Sequence, residues 1–152
     1  MSLDNLRGSS RNGQYRCMAA RFEWRGEFSN EALNRLHAEA FEHQVLEHDW
    51  LQQVRAHSLG WVCACEGESE LVGFVNVPWD GGVHAFLMDT AVAEKVRRQG
   101  IGTTMVAVAT DRVRDAGCEW LHVDFDGADL SRFYLQSCRF TPTTAGLVRL
   151  IS

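Results

Sequence analysis

Between residues 60 and 92 the sequence passes through three apolar segments in quick succession: GWVCACEG, LVGFVNVP and VHAFLMDTAV. Turn residues separate them, Glu66-Gly67-Glu68-Ser69 after the first and Pro78, Trp79, Asp80, Gly81 and Gly82 after the second. Strands joined by connections this short pair as antiparallel neighbours, because a parallel pair needs a crossover of a dozen residues or more. The chain must therefore build around an antiparallel meander, with the remaining elements packed on its faces or added at its edges.

Helical and extended patterns flank that meander. Residues 15–24 (YRCMAARFEW) read as a strand closed by a turn at Arg25-Gly26. Ser29 is placed to cap a helix, since its hydroxyl can accept one of the orphan N–H groups of the first turn. The segment after it, NEALNRLHAEAF, carries Leu33, Leu36 and Ala40 at helical spacing. A second helix is expected from about 49 to 58, with Trp50, Leu51 and Val54 as its apolar side. Beyond the meander, Ile101, Met105, Val108 and Ala109 form one stripe of a long helix over about 101–116, and Gly117 stands where a C-terminal glycine cap belongs. WLHVDFD is expected as a strand, DLSRFYLQS as a short helix, and residues 140–151 as one or two closing strands. This order predicts a single α/β domain over residues 14–152 around a mixed, mostly antiparallel sheet flanked by helices, after a polar tail at residues 1–13.

Charge and cysteine content narrow the function classes. Fifteen basic against 20 acidic residues give a net charge of −5, the wrong balance for a nucleic-acid partner. No apolar run approaches the roughly 20 residues of a membrane span, so no membrane partner is expected. The opening residues, MSLDNLRGSSRNGQ, lack the apolar centre of a secretory signal. The five cysteines are odd in number, and none forms a C-x-x-C pair, so neither a disulfide framework nor a zinc site is expected. Cys63 and Cys65 would share one face of a strand. These features predict reduced core thiols, a cytoplasmic location and no metal.

The stretch richest in chemistry is DTAVAEKVRRQGIGTTMV, residues 89–106. A strand ends at Val92, a basic loop follows, and a helix opens at Gly100 and Gly102. A helix N-terminus presents unpaired N–H groups and a partial positive charge. Glycines let a ligand approach that backbone, and Arg97 and Arg98 add fixed charge, so the loop has the make-up of a pyrophosphate cradle. Thr103 and Thr104 offer further hydroxyl donors. A dinucleotide fold is disfavoured, because G-x-G-x-x-G has Met105 at its sixth position here and the loop follows an antiparallel meander. The G-x-x-x-x-G-K-[ST] loop of nucleotide hydrolases is absent.

Arg97-Arg98-Gln99-Gly100-Ile101-Gly102 resembles the R/Q-x-x-G-x-G/A signature of the GNAT superfamily of N-acetyltransferases, and Val92 falls where that family ends its fourth strand. LHVDFDGADLSRFYLQSCRF resembles the family's second conserved block. The resemblance implies a sheet splayed between its fourth and fifth strands. It implies acetyl-CoA as cosubstrate, its pyrophosphate on the backbone from about Arg97 through Arg98, Gln99, Gly100, Ile101 and Gly102 to Thr103, and its pantetheine arm along the strand ending at Val92. Tyr134 matches the tyrosine that returns a proton to the departing CoA thiolate. The chain departs from the pattern at Gly127, where the family often has Asn, and at Arg139-Phe140, where it has Gly-Phe. These departures keep open a second reading, a CoA-binding sensor or interaction module without useful catalysis.

Acetyl transfer to an amine also needs a route for the amine's proton. His84 is the favoured base, with Asp89, Asp124 or ordered water as alternatives; His84, Phe86 and Met88 alternate on one strand face, and His122, Asp124 and Asp126 on another. By the resemblance, the connection FEHQVLEHD lines the acceptor side, and its Glu42, Glu47 and Asp49 would suit a cationic amine: a polyamine, an aminoglycoside or a lysine side chain. The acceptor is thus expected to be a small-molecule or peptide amine, and the resemblance allows a homodimer.

Overall fold

The structure, a computed structural model, describes residues 20–151. The expected tail at residues 1–13 and the first part of the expected opening strand lie outside the described residues. The elements follow in the order β1 (Arg21–Trp24), α1 (Asn30–Phe41), α2 (Trp50–His57), β2 (Ser58–Glu66), β3 (Glu70–Pro78), β4 (His84–Val92), a single 3-10 turn (Glu94–Val96), α3 (Ile101–Asp115), β5 (Trp120–Val123) and α4 (Ala128–Ser131). A wide π-type turn, Arg132–Ser137, continues α4.

Local chemistry fixes several boundaries. The Ser29 hydroxyl accepts the Ala32 N–H at 3.0 Å, and the Asp49 carboxylate accepts that of Gln52 at 3.1 Å, so both early helices start on a side-chain cap. α3 ends in a Schellman turn: Gly117 takes φ +85°, its N–H reaches the Arg114 carbonyl, and the Cys118 N–H reaches back to Val113.

The five strands form one sheet in the order β1-β2-β3-β4-β5. β1 to β4 are antiparallel neighbours, with short turns joining β2 to β3 and β3 to β4, while β5 joins β4 in parallel. α3 is the crossover that makes the parallel pair possible. The β3–β4 register slips between Phe74↔Ala91 and Asn76↔Met88, so Asp89 and Thr90 together oppose the single residue Val75. This is a β-bulge on β4, and Asp89 holds a left-handed φ of +55° within it. The β4–β5 pairing stops at Leu87↔Val123, so the two strands part just before the bulge and the second half of β4 has no partner on that side among the described residues.

The core lies between sheet and helices. Val62, Ala64, Val72, Phe74, Val75 and Val77 are fully buried, as are Leu33 of α1, Val54 of α2 and Met105 and Ala109 of α3. α3 seats directly on the sheet at Gly73, where an added Cβ would stand 2.8 Å from Met105 Sδ and 3.0 Å from Ala64 Cβ. Cys63 and Cys65 are buried free thiols, and Cys118 and Cys138 are free and half-buried. No helix among the described residues is long and apolar enough to cross a membrane.

Two expectations fail. The strand expected over WLHVDFD closes at Val123. Residues 140–151 form no strand; their apolar side chains Leu147, Val148, Leu150 and Ile151 stand exposed, with no pairing to the free edge of β5. A strand is stabilised by a ladder and a covered face. This segment, interrupted by Pro142 and Gly146, finds neither among the described residues.

The seating of α3 gives a test of the fold. Gly73→Val should lower stability by about 1–3 kcal/mol through overpacking against Met105 and Ala64. For a chain of this size each kcal/mol shifts Tm by roughly 2–4 °C. Denaturant unfolding that is unchanged in the variant would show that α3 does not bear on Gly73.

Candidate active site

Where β4 and β5 part, a cleft of about 590 Å³ opens, lined by the end of α1 (Ala40, Phe41), the end of β4 (Thr90, Val92), the loop and first turn of α3, and Leu130, Phe133, Tyr134 and Ser137. Its floor is the start of α3. Gly100 takes φ +81° as the residue before the helix, a conformation that suits glycine, and nothing lies within 4 Å of the position its Cβ would occupy. No side chain caps α3. The Gly100 carbonyl accepts both the N–H and the hydroxyl of Thr104. The N–H groups of Ile101, Gly102 and Thr103 precede the first intrahelical bond and face no acceptor among the described residues. Gly102 brings the helix close to its surroundings: its absent Cβ would sit 3.2 Å from the Phe133 ring and 3.6 Å from Val92 Cγ2.

Of the expected anion-binding residues, all but Gln99 are brought together. Val92, Arg97, Arg98, Gly100, Ile101, Gly102 and Thr103 line the cleft. Gln99 is exposed and outside the lining. The N–H of Arg97 is engaged by the Glu94 carbonyl, and its Nε donates to the Val92 carbonyl at 3.2 Å. Arg97 therefore contributes charge rather than a free backbone donor, and the cradle proper begins after it.

Tyr134 enters the cleft from the π-type turn. Its ring stacks on Phe125 and meets Phe133 and Phe140 edge-on, and its hydroxyl donates to Thr90 Oγ1 at 3.1 Å. Burial in this aromatic nest pushes its pKa up from the ordinary tyrosine value; the Thr90 bond opposes the rise and the nearby Cys138 adds to it. The phenol is therefore protonated throughout the neutral range. Cys138 is a poor nucleophile here, because burial pushes its thiol up to about 11.

His84 begins β4, outside the cleft lining, with Nδ1 2.8 Å from His122 Nε2. His122 in turn stacks on Phe86. Asp124 and Asp126 are exposed beyond β5. Trp61 is a core residue whose Nε1 donates to Gly26, and Trp79 is at the surface; neither walls the cleft. Asp89 lies one residue from Thr90, inside the bulge, with Oδ1 3.2 Å from His37 Nε2. Sequence reading missed His37, although one signal was there: it follows Leu33 by four residues, which sets an imidazole on the apolar stripe of α1. Among the described residues no group of three or more His, Cys, Asp or Glu side chains could hold a metal ion.

No curated protein matches the sequence. Among solved structures, a GNAT-family acetyltransferase from Streptococcus pneumoniae superposes with a TM-score of 0.70 at 19% identity, covering 87% of this chain and 98% of its own. Glucosamine-6-phosphate N-acetyltransferase from Arabidopsis thaliana gives 0.67 at 14% identity, covering 87% and 99%. A GNAT-family N-acetyltransferase from Escherichia coli, solved with CoA, gives 0.63 at 20% identity, covering 76% and 68%. At these identities the likeness is one of fold. The acetyltransferase (GNAT) family profile matches residues 20–140, from β1 through the turn that carries Tyr134. The chain belongs to the GNAT acetyltransferase family.

Proposed function

We propose that the protein is an acetyl-CoA-dependent N-acetyltransferase that moves an acetyl group to a primary amine by direct transfer in a ternary complex. One observation carries this reading: the open N-terminus of α3, with Gly100, Gly102, Arg97 and Arg98, and the Tyr134–Thr90 pair line the same cleft, at the point where β4 loses its neighbour. An anion-binding floor, an unpaired strand edge and a buried phenol together fit a long phosphorylated thioester. The free N–H groups of residues 101–103 would hold the diphosphate, and the unpaired edge of β4 would align the amide-rich arm. The bound cosubstrate supplies an activated acyl group and a thiolate leaving group.

The chain's own residues account for the rest of the chemistry. β4 backbone donors near Val92 face the region where negative charge develops as the amine nitrogen bonds to the thioester carbon. Tyr134 holds the proton that the thiolate needs as the carbon–sulfur bond breaks, and it regains one from solvent afterwards. Burial keeps that proton in place at neutral pH. Direct transfer is favoured over an acetyl-cysteine because burial raises the pKa of each described cysteine. Free thiols at all four described cysteines, two of them buried, support a reducing, cytoplasmic setting.

Three outcomes test the proposal. Purified protein should release free thiol from acetyl-CoA only when an amine is present; CoA binding with no turnover across an amine panel would instead make the chain a CoA-binding module. Gly100→Asp should abolish CoA binding measured by calorimetry, because it sets a carboxylate at the cradle and a Cβ on a backbone at φ +81°. Unchanged affinity in the folded variant would remove the cradle from the account.

Tyr134→Phe should lower kcat by about 10- to 10⁴-fold with little change in acetyl-CoA affinity. Because the Tyr134 pKa is raised, its acid form persists above the ordinary value near 10. The wild-type kcat should therefore show no alkaline loss from this group below about pH 10. An undiminished kcat in the variant would leave Tyr134 as a core aromatic.

A further inference from the structure

Three side chains from three parts of the fold form one hydrogen-bonded line beside the cleft. Asp89 Oδ1, in the bulge of β4, lies 3.2 Å from His37 Nε2 on α1. His37 Nδ1 lies 2.7 Å from His43 Nε2, just past the end of α1. His43 Nδ1 lies 2.6 Å from the carbonyl oxygen of Gln44. The His37 ring is clamped between Phe41 and Trp50, with centroids at 4.4 and 4.9 Å. Its side chain and that of Asp89 keep 17% and 21% of their surface exposed, so the pair is shielded yet reachable, whereas His43 is open to solvent. Phe41 lines the cleft and so does Thr90, the residue after Asp89.

Counting protons along this line gives its chemistry. A carbonyl and a carboxylate only accept, so the two end bonds each need an N–H from a ring. The central bond between the rings needs one proton more. Three protons on four ring nitrogens is one beyond what two neutral imidazoles carry. The fully bonded line therefore holds one positive charge, offset by Asp89. Without that proton, and with the two shorter bonds kept, the gap falls at the longest one. His37 Nε2 and Asp89 Oδ1 then face each other as two acceptors 3.2 Å apart with no donor between them. That gap is shaped to take a proton from a cationic donor.

Resting on the acetyltransferase reading above, we infer that Asp89, His37 and His43 form a relay that takes the proton a primary alkylammonium acceptor must lose and delivers it to solvent. The ammonium R–NH3⁺ donates into the gap; one N–H bond breaks, a proton joins His37 Nε2, and neutral R–NH2 keeps the lone pair that attacks the thioester carbon. The His37 Nδ1 proton shifts to His43, which releases one proton to water. Asp89 is the one charged side chain within bonding distance of His37 among the described residues. On the neighbouring elements, Glu39 of α1 is engaged by the Glu94 N–H, and His48, packed on Trp50 of α2, is bonded to Gln53. The relay thus assigns the proton route to Asp89, one of the sequence candidates, together with two histidines that sequence reading did not credit with it, and it specifies a cationic alkylamine as the acceptor class.

Two measurements test it. Nitrogen-detected NMR of the histidine rings should show His43 protonated at Nδ1, a hydrogen-bond coupling between His37 Nδ1 and His43 Nε2, and ring signals altered by Asp89→Asn. Rings that show no such coupling and ignore Asp89→Asn would overturn the relay. In turnover, His37→Gln should lower kcat/KM by about 10²- to 10⁴-fold at neutral pH. The loss should shrink as pH rises and more amine is already neutral, with acetyl-CoA affinity unchanged. Thermal unfolding checks each variant, and Asp89→Asn and His43→Gln carry the kinetics if His37→Gln does not fold. A pH profile that superimposes on the wild type, or a loss seen with His84→Ala and not with these variants, would overturn the assignment. If the wild type turned over no amine, the transferase reading would fail, and the ring coupling would still decide whether the hydrogen-bonded line exists.

Discussion

One extra residue in β4 organises the site. An unbroken strand would carry the β3 pairing through Asp89 and Thr90 in strict alternation. The bulge sets two residues against Val75 and holds Asp89 at φ +55°, a conformation that aspartate tolerates better than bulky residues do. The consequence is a re-aiming of side chains: Asp89 meets His37 of α1, and Thr90 meets the Tyr134 hydroxyl. β5 leaves β4 two residues earlier, at Leu87, so the strand edge is free where these groups gather. The strain of one left-handed aspartate, on the order of 1–3 kcal/mol, is offset by the buried meander on which the rest of β4 pairs.

The cleft is then polarised along its length. At one end the start of α3 offers unpaired N–H groups, the helix dipole and two arginines, the arrangement that holds phosphate oxygens. In the middle the wall is aromatic and keeps a phenol neutral. At the α1 wall, behind Phe41, the His37 ring meets the Asp89 carboxylate. On the proposed reading, the diphosphate cradle, the acid for the departing thiolate and the outlet for the amine's proton lie along one cleft in that order. Gly73 and Gly102 serve this order physically: the first lets α3 sit down on the sheet, the second lets its opening turn approach Phe133 and Val92.

Much of this was legible in the sequence where the determinants are local. Ser29 and Gly117 marked helix ends because caps act within a few residues. The glycine spacing at 100 and 102, with the arginines before it, marked the uncapped start of α3 because the loop and helix that form it are contiguous. The His37–Asp89 pair spans 52 positions and depends on the bulge, which no local pattern announces. The tail fails for a related reason: residues 140–151 have strand-like composition, but a strand needs a partner, and the segment stays apart from the free edge of β5. His84 was chosen for its place on the face leading to Val92, yet β4 turns that residue toward His122 and away from the cleft.

The central claim is that the unpaired edge of β4 and the first turn of α3 together hold a CoA thioester. Amide hydrogen exchange with and without CoA tests it most directly, because it reads those backbone N–H groups one by one. The account expects slowed exchange at residues 98–103 and at 90–92 on addition of CoA, with little change on the exposed side of β1. Protection that is unchanged at both segments, or concentrated elsewhere on the sheet, would contradict it.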